Sequence, residues 1–171
     1  MPHNRASQAM FRYRSQAIFA AIAIVAAFCA PMRSGQFAGV NHTLTGVDMY
    51  DFMNSEPFAG KRVGLITNQT GVDSQGYSTI HLFAGRKDVK LVAIFSPEHG
   101  ISGKVDAAVA DGKDATSGVP IYSLYGETRR PTDEMLKGID VLLFDVQDAG
   151  VRFYTYITTM AYCMEAAAKH H

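Results

Sequence analysis

The sequence predicts an α/β fold, an open and mostly parallel sheet with helices on both faces. Three observations predict it. Four short runs are nearly continuously apolar: Val63–Thr67, Val89–Phe95, Pro120–Tyr125 and Asp140–Phe144. Such runs suit strands buried on both faces, whereas one-sided strands alternate. Stretches with helical start and stop signals lie between them, and alternating strand and helix builds parallel sheets.

The elements follow in order. Val47–Met53, ahead of Pro57, reads as a helix. Lys61-Arg62 lead into the first strand, which Asn68-Gln69-Thr70-Gly71 ends. Ser78–Ala84 reads as a helix stopped by Gly85. The second strand ends at Ser96-Pro97-Glu98-His99-Gly100. Residues 102–118 are rich in Gly, Asp and Ala without a clear period, so they read as a long loop of the kind often tied to function. The third strand, the weakest, stops at Gly126. Pro131–Lys137 carries Pro near its first turn, Asp133 and Glu134 early, Lys137 late and Gly138 after its end. That order matches the helix dipole and the Pro-start, Gly-stop asymmetry. Asp145–Gly150 ends the fourth strand, and Tyr154–Lys169 is the longest helix candidate. Ala166–His171 holds no stop signal and no strand follows, which suggests the front part of a longer protein. No internal repeat occurs.

Composition narrows the function classes. With 171 residues, 47% hydrophobic and 19% charged, the chain is neither a disordered tail nor a collagen-like repeat. Residues 1–38 carry Arg5, Arg12, Arg14 and Arg33 and no acid. The rest holds 12 basic against 16 acidic residues, a net −4. A nucleic-acid partner is therefore not expected, because phosphate binding needs positive charge at the docking face.

Arg12 and Arg14 precede an unbroken apolar run, Ala17–Ala30. As a helix it would span about 21 Å, short of a hydrocarbon core of roughly 30 Å. Basic start and short apolar run read as a secretory signal over residues 1–30, followed by a linker over 31–44 and one domain over 45–171. A periplasmic or extracellular location follows; an uncleaved membrane anchor and a buried core helix are the alternatives. Only Cys163 falls in the body, so no internal disulfide forms there, and among Met160, Met164 and Ala166 it reads as a small buried hydrophobe.

Ligands of open parallel sheets bind outside the carboxyl ends of the strands. That rule singles out Asn68–Gly71, Ser96–Gly103 and Asp145–Arg152. Glu98 is the foremost candidate: a carboxyl at the mouth of a buried strand is partly desolvated, which raises its pKa and suits a general acid. A helix cap or salt bridge is the bland alternative. His99 can orient Glu98 or bind substrate. Asp145, Gln147, Asp148 and Arg152 crowd one strand end, where polar groups are costly unless they hold each other or a ligand. Arg152 can clamp a substrate carboxylate in bidentate fashion or brace an Asp internally. Of Phe153, Tyr154 and Tyr156, at least one faces the core. The amides of Asn68 and Gln69 suit neutral polyols such as sugars. No dinucleotide or phosphate-cradling glycine motif and no Gly-x-Ser-x-Gly elbow occurs. A lone Glu-His pair lacks metal-ligand spacing, so neither cofactor nor metal is expected.

Four blocks then occur in order: Gly64-Leu65-Ile66-Thr67-Asn68-Gln69-Thr70-Gly71, Phe95-Ser96-Pro97-Glu98-His99-Gly100, Tyr122-Ser123-Leu124-Tyr125-Gly126, and Phe144–Tyr156. Together they closely resemble the exo-β-N-acetylmuramidase family of glycoside hydrolases, over about Gly46 to Lys169. The resemblance implies a Rossmann-like amino-terminal domain holding the catalytic cleft, with a smaller carboxyl-terminal domain absent here. It implies an exported enzyme that releases N-acetylmuramic acid from non-reducing ends of peptidoglycan fragments. It makes Glu98 the catalytic acid with His99 beside it, and Asp145 or Asp148 the second carboxylate. It makes Asn68, Gln69, Gln147, Arg152 and Tyr154 substrate-binding residues, Arg152 meeting the lactyl carboxylate. Ile101 and Ser102 stand where the family usually carries an aromatic and a basic residue. The rival readings are a non-catalytic envelope sugar-binding module and an inactive gene fragment.

Overall fold

The structure, a computed structural model, describes residues 43–52, 57–104 and 110–170. The signal reading and nearly all of the linker reading lie outside them. Among the described residues no helix is long and apolar enough to cross a membrane.

The elements are α1 (Gly46–Phe52), β1 (Arg62–Thr67), α2 (Thr79–Gly85), β2 (Lys90–Ser96), β3 (Gly112–Lys113), β4 (Pro120–Ser123), α3 (Asp133–Leu136), β5 (Val141–Asp145) and α4 (Tyr156–His170). The sheet order is β3-β4-β2-β1-β5. Four strands run parallel, and β3 alone pairs antiparallel, with β4. The chain steps outward from β1 through β2 to β4, then returns to the far side of β1 for β5. The switch point therefore lies between the carboxyl ends of β1 and β5, where ligands of such sheets bind.

Alternation along β1 and β5, and along β2 past a break at Val92, feeds two cores. Val63, Leu65, Leu91 and Ile94 pack with Tyr50 of α1 and with Ile80 and Phe83 of α2. Ile66, Ala93 and Phe95 face the other way, onto Leu136 of α3 and Cys163 of α4. On β5, Leu143 joins the first cluster, and Leu142 and Phe144 join the second. Helices thus cover both faces. Phe83 is fully buried and stacks on Tyr50 at 4.9 Å; burying such a side chain contributes roughly 1.5–3 kcal/mol. The sheet slips register between Val63 and Gly64, where β1 meets β2.

Local signals fix the ends. Ser78 caps α2 by accepting from the backbone N–H of His81. Thr132 caps α3 by accepting from that of Met135, and each such cap contributes about 1 kcal/mol. Two expectations shift. Pro131 precedes the cap of α3, so the helix is a single turn and not Pro131–Lys137. The expected loop at 102–118 contains β3, because Gly112 and Lys113 can pair with the exposed edge of β4 without an apolar side chain to announce them.

Candidate active site

Three loops meet at the carboxyl edge of the sheet, and hydrogen bonds between distant blocks join them. Thr155, just before α4, donates from Oγ1 to Glu98 Oε2 at 2.5 Å. The backbone N–H of Gln147 donates to Thr70 Oγ1 at 2.8 Å. Thr67 Oγ1 donates to the backbone carbonyl of Asp145 at 2.8 Å. The first bond ties the loop after β2 to the segment entering α4, the second ties the loop after β1 to the loop after β5, and the third joins the last residues of β1 and β5.

Glu98 is half-buried at the mouth of β2. Its pKa lies below the ordinary value, opposite to the direction expected from burial alone. The Thr155 hydrogen bond is the largest cause and outweighs desolvation; a hydrogen bond from Tyr125 and the nearby charges of His99 and Arg129 pull the same way. Hydrogen bonds given to the ionised form favour it. Arg129 lies over the Tyr125 ring, 5.2 Å from its centroid. His99 has a φ of 69° and Gly100 one of 74°. A left-handed histidine is uncommon and strained; the two residues turn the chain sharply behind Glu98.

Asn68 is 3% exposed. Its Oδ1 accepts from the Thr70 backbone N–H at 2.9 Å and from Thr70 Oγ1 at 2.6 Å. Its Nδ2 is buried without a hydrogen-bond partner. It lies close enough to the Tyr156 hydroxyl to lower that group's pKa, but not in good hydrogen-bond geometry. Burial wins at Tyr156, whose pKa is raised, with Glu98, Tyr154 and Asp148 adding to the rise. Glu98, Asn68, Asp148, Tyr154 and Tyr156 therefore share one electrostatic neighbourhood. Gln69 is exposed and lies over Gly103: a Cβ there would come within 2.2 Å of the Gln69 side chain.

The remaining candidates separate. Asp145 is half-buried, and its carboxylate accepts from Thr79 Oγ1 at the start of α2. It thus braces α2 against β5. Asp148 is exposed, and its Oδ1 accepts from the Gly150 backbone N–H at 2.7 Å, closing a turn. Gln147 and Arg152 are exposed, and no ion pair among the described residues holds Arg152. Tyr154 packs edge-on against Tyr156 at 5.8 Å and Phe153 at 5.6 Å. Tyr156 is the one turned to the core, while Phe153 is 82% exposed. Among the described residues no three His, Cys, Asp or Glu side chains gather to hold a metal ion.

Thr155, Tyr125, Arg129 and Tyr156 were not among the residues expected from the sequence. Tyr125 follows β4, so the strand-end rule applied to the third parallel strand would have found it. Thr155 sits inside the Phe144–Tyr156 block, but nothing in its type announces a carboxylate partner 57 positions away.

The chain is similar to known proteins in sequence and fold. The family described as "Exo-beta-N-acetylmuramidase NamZ, N-terminal" matches residues 63–171. The peptidoglycan β-N-acetylmuramidase NamZ of Bacillus subtilis strain 168 is 46% identical over 149 residues, which are 86% of this chain and 36% of that protein. Two crystal structures of DUF1343 family proteins from Bacteroides fragilis NCTC 9343 each align with 74% of this chain and 32% of theirs. One has a TM-score of 0.68 at 51% identity, the other 0.60 at 31%. The chain thus spans about a third of the length of these relatives. With its Rossmann-like sheet and the matched span covering both Glu98 and Thr155, the chain belongs to the exo-β-N-acetylmuramidase NamZ amino-terminal domain family.

Proposed function

We propose that this chain carries the acid-bearing part of a glycoside hydrolase that releases N-acetylmuramic acid from the non-reducing ends of peptidoglycan fragments. The observation that carries the reading is the Thr155–Glu98 hydrogen bond, which holds a carboxyl group at the switch-point edge of the sheet, in the same neighbourhood as Asn68, Asp148 and Tyr156. The Bacillus subtilis relative is named as a peptidoglycan β-N-acetylmuramidase, which supports the substrate class.

In this mechanism Glu98, once protonated, gives its proton to the glycosidic oxygen as the C1–O bond breaks. Water supplies the new C1–O bond. Asp148 serves as the second carboxylate, taking the water proton or stabilising the oxocarbenium-like transition state, since Asp145 is committed to Thr79. Carboxyl groups about 5–5.5 Å apart retain the anomeric configuration and those about 6.5–9.5 Å apart invert it, so the anomer first released identifies the course. Arg152 meets the lactyl carboxylate, and His99 orients Glu98. Residues 1–30 direct export, with 31–44 as a linker.

The test is release of free sugar from a chromogenic N-acetylmuramide by the chain joined to the remainder of a full-length relative. Glu98→Gln is expected to lower kcat by at least about 100-fold, the range for losing a general acid. Full rate in Glu98→Gln overturns the assignment. Muropeptide binding without release at any pH, retained in Glu98→Gln, favours a non-catalytic sugar-binding module instead.

A further inference from the structure

The mechanism above gives Arg129 no task, yet the fold brings it to the acid. Strands β2 and β4 run parallel, with Ser96 opposite Ser123. The Leu124 N–H donates to the Ser96 carbonyl at 2.8 Å and carries that register past the strand ends. Glu98 and Tyr125 therefore leave the sheet at matching positions, each the second residue beyond its paired serine, on strands about 4.8 Å apart. Tyr125 donates to Glu98, and the Arg129 guanidinium lies over the Tyr125 ring, 5.2 Å from its centroid. From there its charge reaches the Glu98 carboxylate.

The next residue shows how a bracing arginine sits in this loop. Arg130 pairs with Glu165 of α4, and its guanidinium lies 3.7 Å from the centroid of the Tyr162 ring. Arg129 is exposed instead, and no salt bridge among the described residues holds it. The turn that presents it is fixed: Thr128 Oγ1 donates to the Arg130 carbonyl at 2.8 Å and accepts from the Arg130 N–H at 3.1 Å. A guanidinium over an aromatic face still offers its fork of N–H donors, which matches a carboxylate. Steadied in this way, it loses little freedom when a ligand binds. Without a bound anion the position works against the acid. A cation favours the ionised form of a neighbouring carboxyl, adding to what Thr155, Tyr125 and His99 do at Glu98, whereas a general acid must be protonated. Tyr156 of α4 also lies within reach of the Glu98 charge, but is neutral when protonated and cannot offset Arg129. An anion paired with Arg129 cancels its pull.

We infer that Arg129, steadied on Tyr125, is a specificity-determining residue that binds the carboxylate of an acidic sugar whose glycosidic oxygen lies at Glu98. The inference rests on the glycosidase reading. The sheet order sets the loops after β4 and β5 on opposite sides of the loop after β2, so Arg129 and Arg152 stand on loops that flank the acid. A neutral sugar forgoes both gains, the ion pair and the release of Glu98 from the Arg129 charge.

The probes are N-acetylmuramic acid and N-acetylglucosamine, which differ by the lactyl ether and its carboxylate, titrated into the 171-residue chain at neutral pH. The acidic sugar is expected to bind tighter. Arg129→Gln is expected to weaken it about tenfold, which corresponds to ~1.4 kcal/mol, and to leave the neutral sugar unchanged. Arg129→Lys keeps the charge and is expected to recover part of the preference. Arg130→Gln breaks the Glu165 pair, so it is expected to lower the melting temperature without moving the ratio of affinities. Equal affinities in the parent chain, failure of both sugars to bind, or a ratio unmoved by Arg129→Gln overturns the inference. An Arg129 that merely braces the loop gives the last result, weakening both sugars together. Hydrolysis plays no part in this readout. A preference that depends on Arg129, with no release of sugar by the joined chain, sinks the enzyme reading alone. Release with an unmoved ratio sinks the role of Arg129 alone and leaves the carboxylate to Arg152.

Discussion

The hydroxyl of Thr155 governs the charge on Glu98. Burial by itself would favour the neutral carboxyl, and reading Glu98 from its place in the sequence led to that expectation. Thr155 and Tyr125 reverse it by donating to the ionised form. A general acid must be protonated, so the rate falls as pH rises through its pKa. A lowered pKa places that fall at lower pH. Thr155→Val removes the largest cause of the lowering, so Glu98 keeps its proton to higher pH and the alkaline limb of kcat/KM moves upward. Thr155→Ser keeps a hydroxyl and is expected to restore the original limb. A profile unmoved in Thr155→Val would mean that the bond does not set the acid's ionisation. A second residue-scale outcome concerns Cys163, whose thiol is pushed up to about 12 by burial. At pH 8 that leaves about one thiolate in ten thousand. With Cys29 replaced by Ser, the folded chain is expected to resist a disulfide reagent for hours and to label within minutes in denaturant. Rapid labelling of the folded chain would contradict the burial of Cys163 between α4 and the sheet.

At the scale of elements, the loop after β1 is the keystone, and Gly71 shows why. A Cβ at Gly71 would lie 2.1 Å from Thr67 Oγ1, 2.9 Å from the Asp145 carbonyl and 3.0 Å from Asp145 Oδ2. Those are the atoms that tie β1 to β5 and β5 to α2. Gly71→Ala is therefore expected to destabilise by about 1–3 kcal/mol, the usual cost of overpacking, read from urea unfolding. No change in the midpoint would show that the loop yields freely. The same elements show what the sequence could disclose. Strands β1, β2 and β5 were legible because both faces are buried and their apolar runs are unbroken. The switch-point loops were legible because the sheet rule names them before any side chain is considered. The role of Asp145 was not legible: a carboxylate ending a strand can turn toward the cleft or toward the next helix, and Thr79 took it for α2. Nor was β3, whose two residues carry no apolar signal. Arg129 comes beside Glu98 through the pairing of β2 with β4, which no spacing along the chain announces.

For the molecule as a whole, the end of the sheet opposite the site is held by charge. Arg62 opens β1 and Asp140 immediately precedes β5. Their side chains pair through two hydrogen bonds of 2.7 and 3.1 Å, and Asp140 Oδ2 also accepts from the Arg62 backbone N–H at 2.8 Å. The Arg62 side chain, followed by its backbone N–H, holds the Asp140 carboxyl well below the usual carboxylate range. Asp48 is held low too, mainly by the Ser74 backbone N–H and then that of Thr45. A folded-state pKa below the unfolded value of about 3.9 contributes stability that is complete above that value. The contribution is lost as pH falls toward the folded-state pKa. Melting temperature is therefore expected to stay level on this account between pH 7 and 5 and to drop below about pH 4. Asp140→Asn is expected to melt lower at pH 7 but to lose less on acidification, so the two curves converge. Both side chains are partly exposed, so 1 M salt should narrow the gap at pH 7 by screening. Parallel curves at all pH values would place the acid sensitivity elsewhere, with Asp48 and Glu98 the next carboxylates to replace.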